Sequence, residues 1–503
     1  MGFPLAGVRV IDVSSTFMGP YCTMLLAQWG AEVTKVEPPG GDVVRKIGDV
    51  RGTSMGPVFL NVNRGKRSVV LDLKQGGARG LLDRLVAGAD VVVHNMRSGA
   101  AERLGLSADA VLRANPRAVH CAFRGFGAGG PYEDRPAYDD VIQAASGMAA
   151  LQGGAGGAEY VRTAAADKIV GLMGAAAVLA ALHGREVTGR GQAVEVPMLE
   201  TMTQFMLLEQ QGGWVFDPPA GPAGYARTAS PHRRPCRTKD GHLAVMIYTD
   251  AQWRAFFDCV GRPELADDPR YRTIRERTEH IDELYAFLNE EMAARTTADW
   301  LAELERRDIP AAPVNAVTDL FEDPHLRATG FFESVEHPSE GPLLLPRQPV
   351  RFGQGPRAEV TGGPGDGGGL QPAYIRRGAA AAGRDAPRTP GPDENGPART
   401  GGPEPYDLPH GPRPDAHALA DTPDPGGHTI PLASGPHEHL PHAPRLGEHS
   451  LDVAREAGLD DAEIQLLVAS GALDVPRGDG TPTGRPPRRG AVRSASGSAG
   501  PLE

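Results

Sequence analysis

Hydrophobic and polar residues follow two rhythms over the first 200 positions. Short apolar or alternating runs at Val8–Val13, Ala31–Glu37, Val69–Leu73, Val91–His94 and Val119–Phe123 predict strands. Between them, Pro20–Gly30 reads as a helix with proline in its first turn and glycine at its end. Ala78–Ala87 and Ala108–Ala114 carry further helical patterns. Strands alternating with helices over short links predict an α/β fold, a mostly parallel sheet covered on both faces. Ligands of such sheets bind beyond the carboxyl ends of the strands, here the loops Ser14–Gly19, His94–Ser98 and Arg124–Pro131.

From Thr201 to about Gly353 the texture changes to helix-rich segments such as IDELYAFLNEEMAARTTADWLAELERRDIPAAPV, which predict a smaller mixed α+β domain. Glycine and proline then crowd into residues 361–440, where Tyr374 and Tyr406 are the only aromatics. A segment of that kind cannot bury enough apolar surface to offset chain entropy, and disorder is expected. Helical spacing returns at Leu451, Val453, Ala454, Ile464, Leu467 and Val468, before a second Gly/Pro-rich stretch from about Gly478. The resulting layout is 1–200 for the first part of a large domain, 201–353 for linkers and a small domain, 354–441 for a disordered insertion, 442–477 for a return to the large domain, and 478–503 for a disordered tail.

Composition narrows the function. With 52 Lys and Arg against 63 Asp and Glu, the net charge of −11 argues against nucleic acid as a partner. Cys22, Cys121, Cys236 and Cys259 lie far apart without a CxxC pair. Neither a disulfide framework nor a structural zinc is expected, and a reducing cytoplasm is the default compartment. The longest apolar run, Ile169–Leu182, is too short to span a bilayer, and MGFPLAGVRVIDV carries no signal-peptide pattern. No membrane association is expected.

Asp167 stands immediately before a long apolar helix. It could cap that helix. Alternatively, a carboxylate kept ionised at a helix N-terminus could act as a nucleophile. The small residues Gly171, Gly174, Ala175, Ala176 and Ala177 leave room for a ligand or for close helix packing. The loop RGFGAGGP (124–131) follows a strand, but Pro131 opens no helix, so a turn-rich loop is expected over a dinucleotide site. Lys35, Arg45, Lys66, Arg67, Lys74, Arg97, Arg103 and Arg135 read as solvated surface, unless a phosphorylated ligand gathers some of them at strand ends. His437, His439 and His442 have metal-like spacing in a Gly/Pro-rich stretch and read as polar filler, so no metal is expected.

Six segments, in order from Phe17 to His449, together resemble one family: FMGPYCTMLLAQWGAEVTKVEPPGGD, NRGKRSVVLDLK, ADVVVHNMRSGAAERLGL, GFGAGGPYEDRPAYDDVIQAASG, AADKIVGLMGAAAVLAALHGREVTGRGQAVEVPMLE and APRLGEH. They are similar to the class III CoA-transferases, the group of formyl-CoA transferase, carnitine CoA-transferase and alpha-methylacyl-CoA racemase. The resemblance implies a Rossmann-like large domain, a small domain and an interlocked homodimer. It implies coenzyme A as co-substrate, moved from an acyl-CoA to a carboxylic acid. Asp167 matches the family nucleophile, which forms an aspartyl anhydride and then an aspartyl-CoA thioester. Asn95, Met96 and Arg97 match the adenine pocket, Leu71 and Lys74 the end of the strand beside it, and Arg103 and Arg135 phosphate contacts. Phe17, Met18 and Tyr138 match the acyl pocket.

Departures from the family pattern shape the reading. Tyr138 occupies the place of the racemase branch's histidine, and a tyrosine with a pKa near 10 is a poor general base. Transfer is therefore favoured. A 2-methylacyl-CoA racemase or epimerase and a non-catalytic CoA-binding member are the alternatives. Phe17 stands where formyl-CoA transferase has glutamine, which disfavours oxalate and suits a more apolar acyl group. The family's glycine-rich loop should fall within Pro218–Pro235, yet Gly221 and Gly224 there form no glycine run.

Overall fold

The computed structural model describes residues 3–352 and 442–476. The Gly/Pro-rich residues 354–441, with Tyr374, Tyr406, His437 and His439, lie outside the described residues, as does 478–503. The chain opens with strands and helices in alternation: β1 (Arg9–Asp12), α1 (Met18–Gln28), β2 (Glu32–Glu37), α2 (Pro57–Val62), β3 (Lys66–Leu71), α3 (Gly76–Ala87), β4 (Val91–His94), α4 (Ser98–Arg103), α5 (Ala108–Ala114) and β5 (Val119–Arg124). Helices α6 (Asp139–Ala145), α7 (Met148–Gly153) and α8 (Ala165–Thr188) follow, then β6 (Ala193–Pro197) and α9 (Met198–Gln210).

Strands β1–β6 pair in parallel, and the late β12 (Leu473–Asp474) adds an antiparallel edge, giving the order β12-β3-β2-β1-β4-β5-β6. Alternation along each strand divides the core. Val10, Val91, Val93, Cys121 and Phe123 pack under α1 and α8. Ile11, Val69, Leu71 and Val92 point the other way, into a layer with Leu81, Leu82, Val453 and Ile464. The last two come from α10 (Ser450–Glu456) and α11 (Asp461–Ser470), which precede β12. Strand order reverses between β1 and β4, so the crevice beyond their carboxyl ends is the expected ligand entry of this sheet.

The residues between α9 and 352 form separate, smaller sheets. Strands β7 (Cys236–Arg237), β8 (His242–Val245) and β9 (Ala311–Pro313) pair antiparallel, and β10 (Phe332–His337) and β11 (Gly341–Pro346) make a hairpin. Trp253, Phe256, Phe257, Leu284, Leu288 and Trp300 form the apolar core beside the first of these. All four cysteines are free and buried.

Two expectations about charged and polar residues are overturned, for three of the cations and for His442. Lys35, Arg45 and Lys66 are fully buried rather than solvated. Lys66 pairs with Asp12 at 3.0 Å, Lys35 with Asp42 at 2.9 Å, and Arg45 grips Glu37 through two 2.7 Å bonds. Helix α8, at 24 residues, is longer than its apolar run, and by length and composition alone it could cross a bilayer. It packs as a core helix instead: a Cβ on Gly171 would meet the Met18 carbonyl at 2.8 Å, and one on Gly174 would meet the Phe123 ring at 2.2 Å. The small residues thus serve helix packing. His442 is buried against His337, and the Nδ1 of His442 and the Nε2 of His337 lie near the Ala443 carbonyl at 3.1 and 2.9 Å.

Candidate active site

Helix α8 starts at Ala165, and its N-cap position is Ala164. Asp167 therefore lies inside the first turn rather than at the cap. Its backbone N–H donates to Asp139 Oδ1 at 2.9 Å. Asp139 opens α6, and its other oxygen accepts from Gln143 Nε2 at 2.6 Å. Gln143 is fully buried; its Nε2 also donates to the Thr163 carbonyl at 3.3 Å, and its Oε1 accepts the Val161 N–H at 2.9 Å. One amide thus ties α6 to the segment that leads into α8.

The Asp167 carboxyl is half-buried and faces a second carboxylate. Burial first, and then the Asp139 charge, push its pKa up to about 7. The expectation of a carboxylate held firmly ionised by the helix end is thereby corrected: near neutral pH Asp167 exchanges its proton. Lys168 follows it, with Nζ donating to Thr163 Oγ1 and lying 5.7 Å from the centre of the Phe17 ring. Phe17 precedes α1 and lies 6.4 Å from the Tyr21 ring, against which Gly171 packs. The first turn of α8, the start of α1 and the start of α6 thus converge on Asp167. Tyr138, the residue before α6, is 72% exposed. The Met18 side chain is buried in the core between α1 and the sheet.

The loop Ser14–Gly19 is shaped by the buried charges beneath it. Ser14 donates to Asp12 through both its backbone and its hydroxyl, and Lys35 Nζ donates to the Ser14 carbonyl at 2.9 Å. Burial would raise Asp12, but the Lys66 and Lys35 ammonium groups outweigh it and hold the acid well below the usual range. Thr16 adopts a left-handed φ of 74°, and its N–H bonds Asp42 at 3.1 Å. A strained non-glycine residue of this kind persists only where its surroundings fix it.

Across the crevice, Asn95 at the end of β4 accepts from Ser15 N–H at 3.1 Å and donates to the Ser15 carbonyl at 2.9 Å. This paired bond bridges the point where strand order reverses. Met96 packs on the lower core layer, and its N–H donates to His94 Nδ1 at 3.2 Å. The buried His94 meets His120 at 3.0 Å, and burial, His120 and Arg124 bring it down to about 3, so it stays neutral.

The eight scattered cations separate into two groups. Lys35, Arg45 and Lys66 are consumed by buried acids, and Arg67 pairs with Glu456. Lys74, Arg97 and Arg103 are exposed and make no side-chain hydrogen bond or ion pair among the described residues; Arg135 meets only the Tyr132 ring at 4.2 Å. Lys74 precedes α3 and Arg97 precedes α4, at the carboxyl ends of β3 and β4. Strand β3 is not beside β4, since β2 and β1 intervene. The helices that follow nevertheless touch, through Arg79 Nη1 to the Arg103 carbonyl at 3.4 Å. The Leu71 side chain lies in the core layer with Leu81 and Leu82. In the loop RGFGAGGP, the N–H groups of Gly127, Ala128 and Gly129 each donate to a carboxylate of this chain, Glu200, Glu195 and Glu133. Those amides are occupied by acids, so the loop is no phosphate cradle.

The pattern of CoA-transferase family III matches residues 5–367. The chain belongs to the class III CoA-transferases. A beta subunit of succinyl-CoA–L-malate CoA-transferase from Chloroflexus aurantiacus is 33% identical over 350 residues, 68% of this chain and 86% of that relative. The succinyl-CoA:glutarate CoA-transferase of Mus musculus is 31% identical, covering 69% of this chain and 80% of its own. A CAIB/BAIF family protein from Brucella suis superposes with a TM-score of 0.59 at 32% identity, covering 70% of this chain and 93% of its own. The protein is thus an enzyme of this family, acting on CoA thioesters, with an α/β fold.

Among such transferases a glycine-rich loop was expected at 218–235. Here that stretch folds back on residues 212–215, with Ala220 N–H on the Gly213 carbonyl at 3.0 Å and Gly224 N–H on the Gln210 carbonyl at 2.7 Å. No hydrogen bond joins it to Asp167 among the described residues. A cavity of about 410 Å³ lined by Ala226, Ser230, Thr278, His280 and Glu283 also includes none of the expected site residues. Sequence reasoning missed Asp139, Gln143 and Lys168 as neighbours of the nucleophile position. The signal available was the pair of acids in AYDD, read only for the histidine it lacks.

Proposed function

We propose that Asp167 is the nucleophile of a CoA transfer between two carboxylic acids. The observation that carries this reading is the half-buried Asp167 carboxyl in the first turn of α8, opposite Asp139. A carboxylate of raised basicity that still ionises near neutrality suits attack on a thioester. One Asp167 oxygen attacks the acyl carbonyl, the carbon–sulfur bond breaks, and CoA thiolate leaves a mixed anhydride. The thiolate attacks the aspartyl carbonyl, giving an aspartyl-CoA thioester and the free donor acid. The acceptor carboxylate displaces thiolate from that thioester, and thiolate then attacks the acceptor's acyl carbon. New acyl-CoA departs and the Asp167 carboxylate is restored.

The bridged crevice at Ser15 and Asn95, with the unpaired Lys74, Arg97 and Arg103 at the same end of the sheet, supports a place for the anionic coenzyme. Arg135 stands apart from that group. Tyr138 favours transfer over α-proton exchange, since no imidazole stands beside Asp139. The large apolar side chains Leu172 and Met173 on α8, Phe205 and Leu208 on α9, and Trp214 are 43–81% exposed, apart from any core. A homodimer would cover them and wall the site around Asp167. Four free cysteines fit a reducing cytoplasm.

Hydroxylamine added during turnover tests the assignment. It should convert Asp167 to a hydroxamate, found by peptide mass spectrometry, and Asp167→Asn should lose transfer. Near wild-type transfer in Asp167→Asn defeats the proposal.

A further inference from the structure

Lys168 is a half-buried cation whose charge no acid answers. Its ammonium spends one donor on Thr163 Oγ1 and rests beside the Phe17 ring, and no carboxylate pairs with it among the described residues. An ammonium has three donors, so two are left for a ligand. Its position is prepared by neighbouring bonds. Gln143 holds the Thr163 carbonyl, the Ala165 N–H donates to that same carbonyl at 2.7 Å, and the Lys168 N–H reaches Ala164 O at 3.3 Å. The ammonium also does not rank among the groups that act on Asp167, where burial and Asp139 dominate. Its charge is directed toward Phe17, the position expected to line the acyl pocket.

We propose that Lys168 binds the distal carboxylate of a dicarboxylic substrate, which makes dicarboxylic acids of four or five carbons the acids exchanged at Asp167. Helix geometry sets adjacent residues 100° apart, so Asp167 and Lys168 diverge from neighbouring Cα atoms on the same end of α8. A diacid acylating Asp167 carries its second carboxylate a few bonds beyond the acyl carbon, and the ammonium beside Phe17 would receive it. Its methylenes then lie on Phe17, which reconciles an aromatic wall with a charged substrate. The two relatives described above are named for succinyl-CoA with malate and with glutarate, in keeping with this class. The inference rests on the reading of Asp167 as nucleophile.

The test compares succinyl-CoA with butyryl-CoA, which share a four-carbon acyl chain and differ in the distal carboxylate. The rate at which hydroxylamine traps Asp167 is followed at low concentrations of each thioester, which removes any demand on a second acid. The wild type should favour succinyl-CoA in the second-order rate of trapping by at least about 100-fold, because a site built for a charged group rejects an analogue lacking it. Lys168→Met should cut that ratio by about 10- to 100-fold, and Lys168→Arg should restore most of it. A ratio unchanged in Lys168→Met, with Asp167 still trapped as hydroxamate, overturns this inference alone. A wild type that prefers butyryl-CoA does the same. Full transfer by Asp167→Asn overturns both readings.

Discussion

Replacing Asp139 by asparagine removes one of the two causes that raise Asp167 while keeping the shape of the side chain. The wild-type carboxyl titrates at about 7, so kcat/KM should fall tenfold per pH unit below that value. At an effective dielectric of about 20, a like charge roughly 6 Å away opposes ionisation by about 3 kcal/mol, or about two pKa units. Water on the half-exposed side brings the effect nearer to one and a half units. The sign is fixed: losing the negative neighbour lowers the Asp167 pKa and extends the active form to lower pH. With a shift of that size, the ratio of kcat/KM at pH 6 to that at pH 8 rises from about 0.1 to about 0.8. The assay is a pH profile of acyl-CoA consumption at low substrate, each variant normalised to its own plateau. Asparagine has one acceptor oxygen where Asp139 uses two, so either Gln143 or the Asp167 N–H loses its partner, and the plateau itself should drop. An acid limb that stays in place, or moves to higher pH, refutes the claim that Asp139 tunes Asp167.

Three further outcomes follow from the same geometry. Asp167→Asn should raise thermal stability at pH 8 but not near pH 4, because the folded pKa of about 7 lies above the unfolded value and the native state loses stability as pH rises between them. Three units correspond to at most about 4 kcal/mol, reduced to about 2–3 by solvent, and equal melting temperatures at pH 8 contradict it. Gly174→Ala should destabilise by about 1–3 kcal/mol in urea unfolding, since its Cβ would meet the fully packed Phe123 ring at 2.2 Å; a loss below about 0.5 kcal/mol would show that the ring yields freely. Lys66→Met leaves Asp12 buried with one cation fewer and should cost about 3–5 kcal/mol, read by the same unfolding curve.

How far the sequence speaks depends on the residue. The α/β alternation is legible because each strand from Val91 to Phe123 is a run of apolar residues too long for a loop. Asp167 is singled out by the resemblance of its segment to the family, since an acid next to an apolar helix reads equally as a cap. The sequence AEVTKVE, by contrast, alternates as though one face met water, while the structure buries Val33 through Glu37 on both faces. Periodicity cannot distinguish a polar residue facing solvent from one facing a buried partner, and Lys35 and Glu37 find theirs at Asp42 and Arg45. The partnership of Asp139 with Asp167 is hidden for a related reason. Those residues are 28 positions apart, and only the packing of α6 on α8 joins them. Met18 and Leu71 rest on likeness of position, and both side chains are buried in the core.

The far edge of the large sheet has a consequence for synthesis. Strand β3 is complete by residue 71, yet its neighbour β12 comes from Leu473–Asp474. The same late stretch supplies the Gly447 N–H to Ser68 Oγ and the Pro444 carbonyl to Arg45, a residue already gripping Glu37. During translation the β3 edge therefore emerges long before its cover, with unpaired backbone groups available to any passing strand. Nonsense truncations before residue 442 should accumulate as aggregates rather than as a smaller active enzyme.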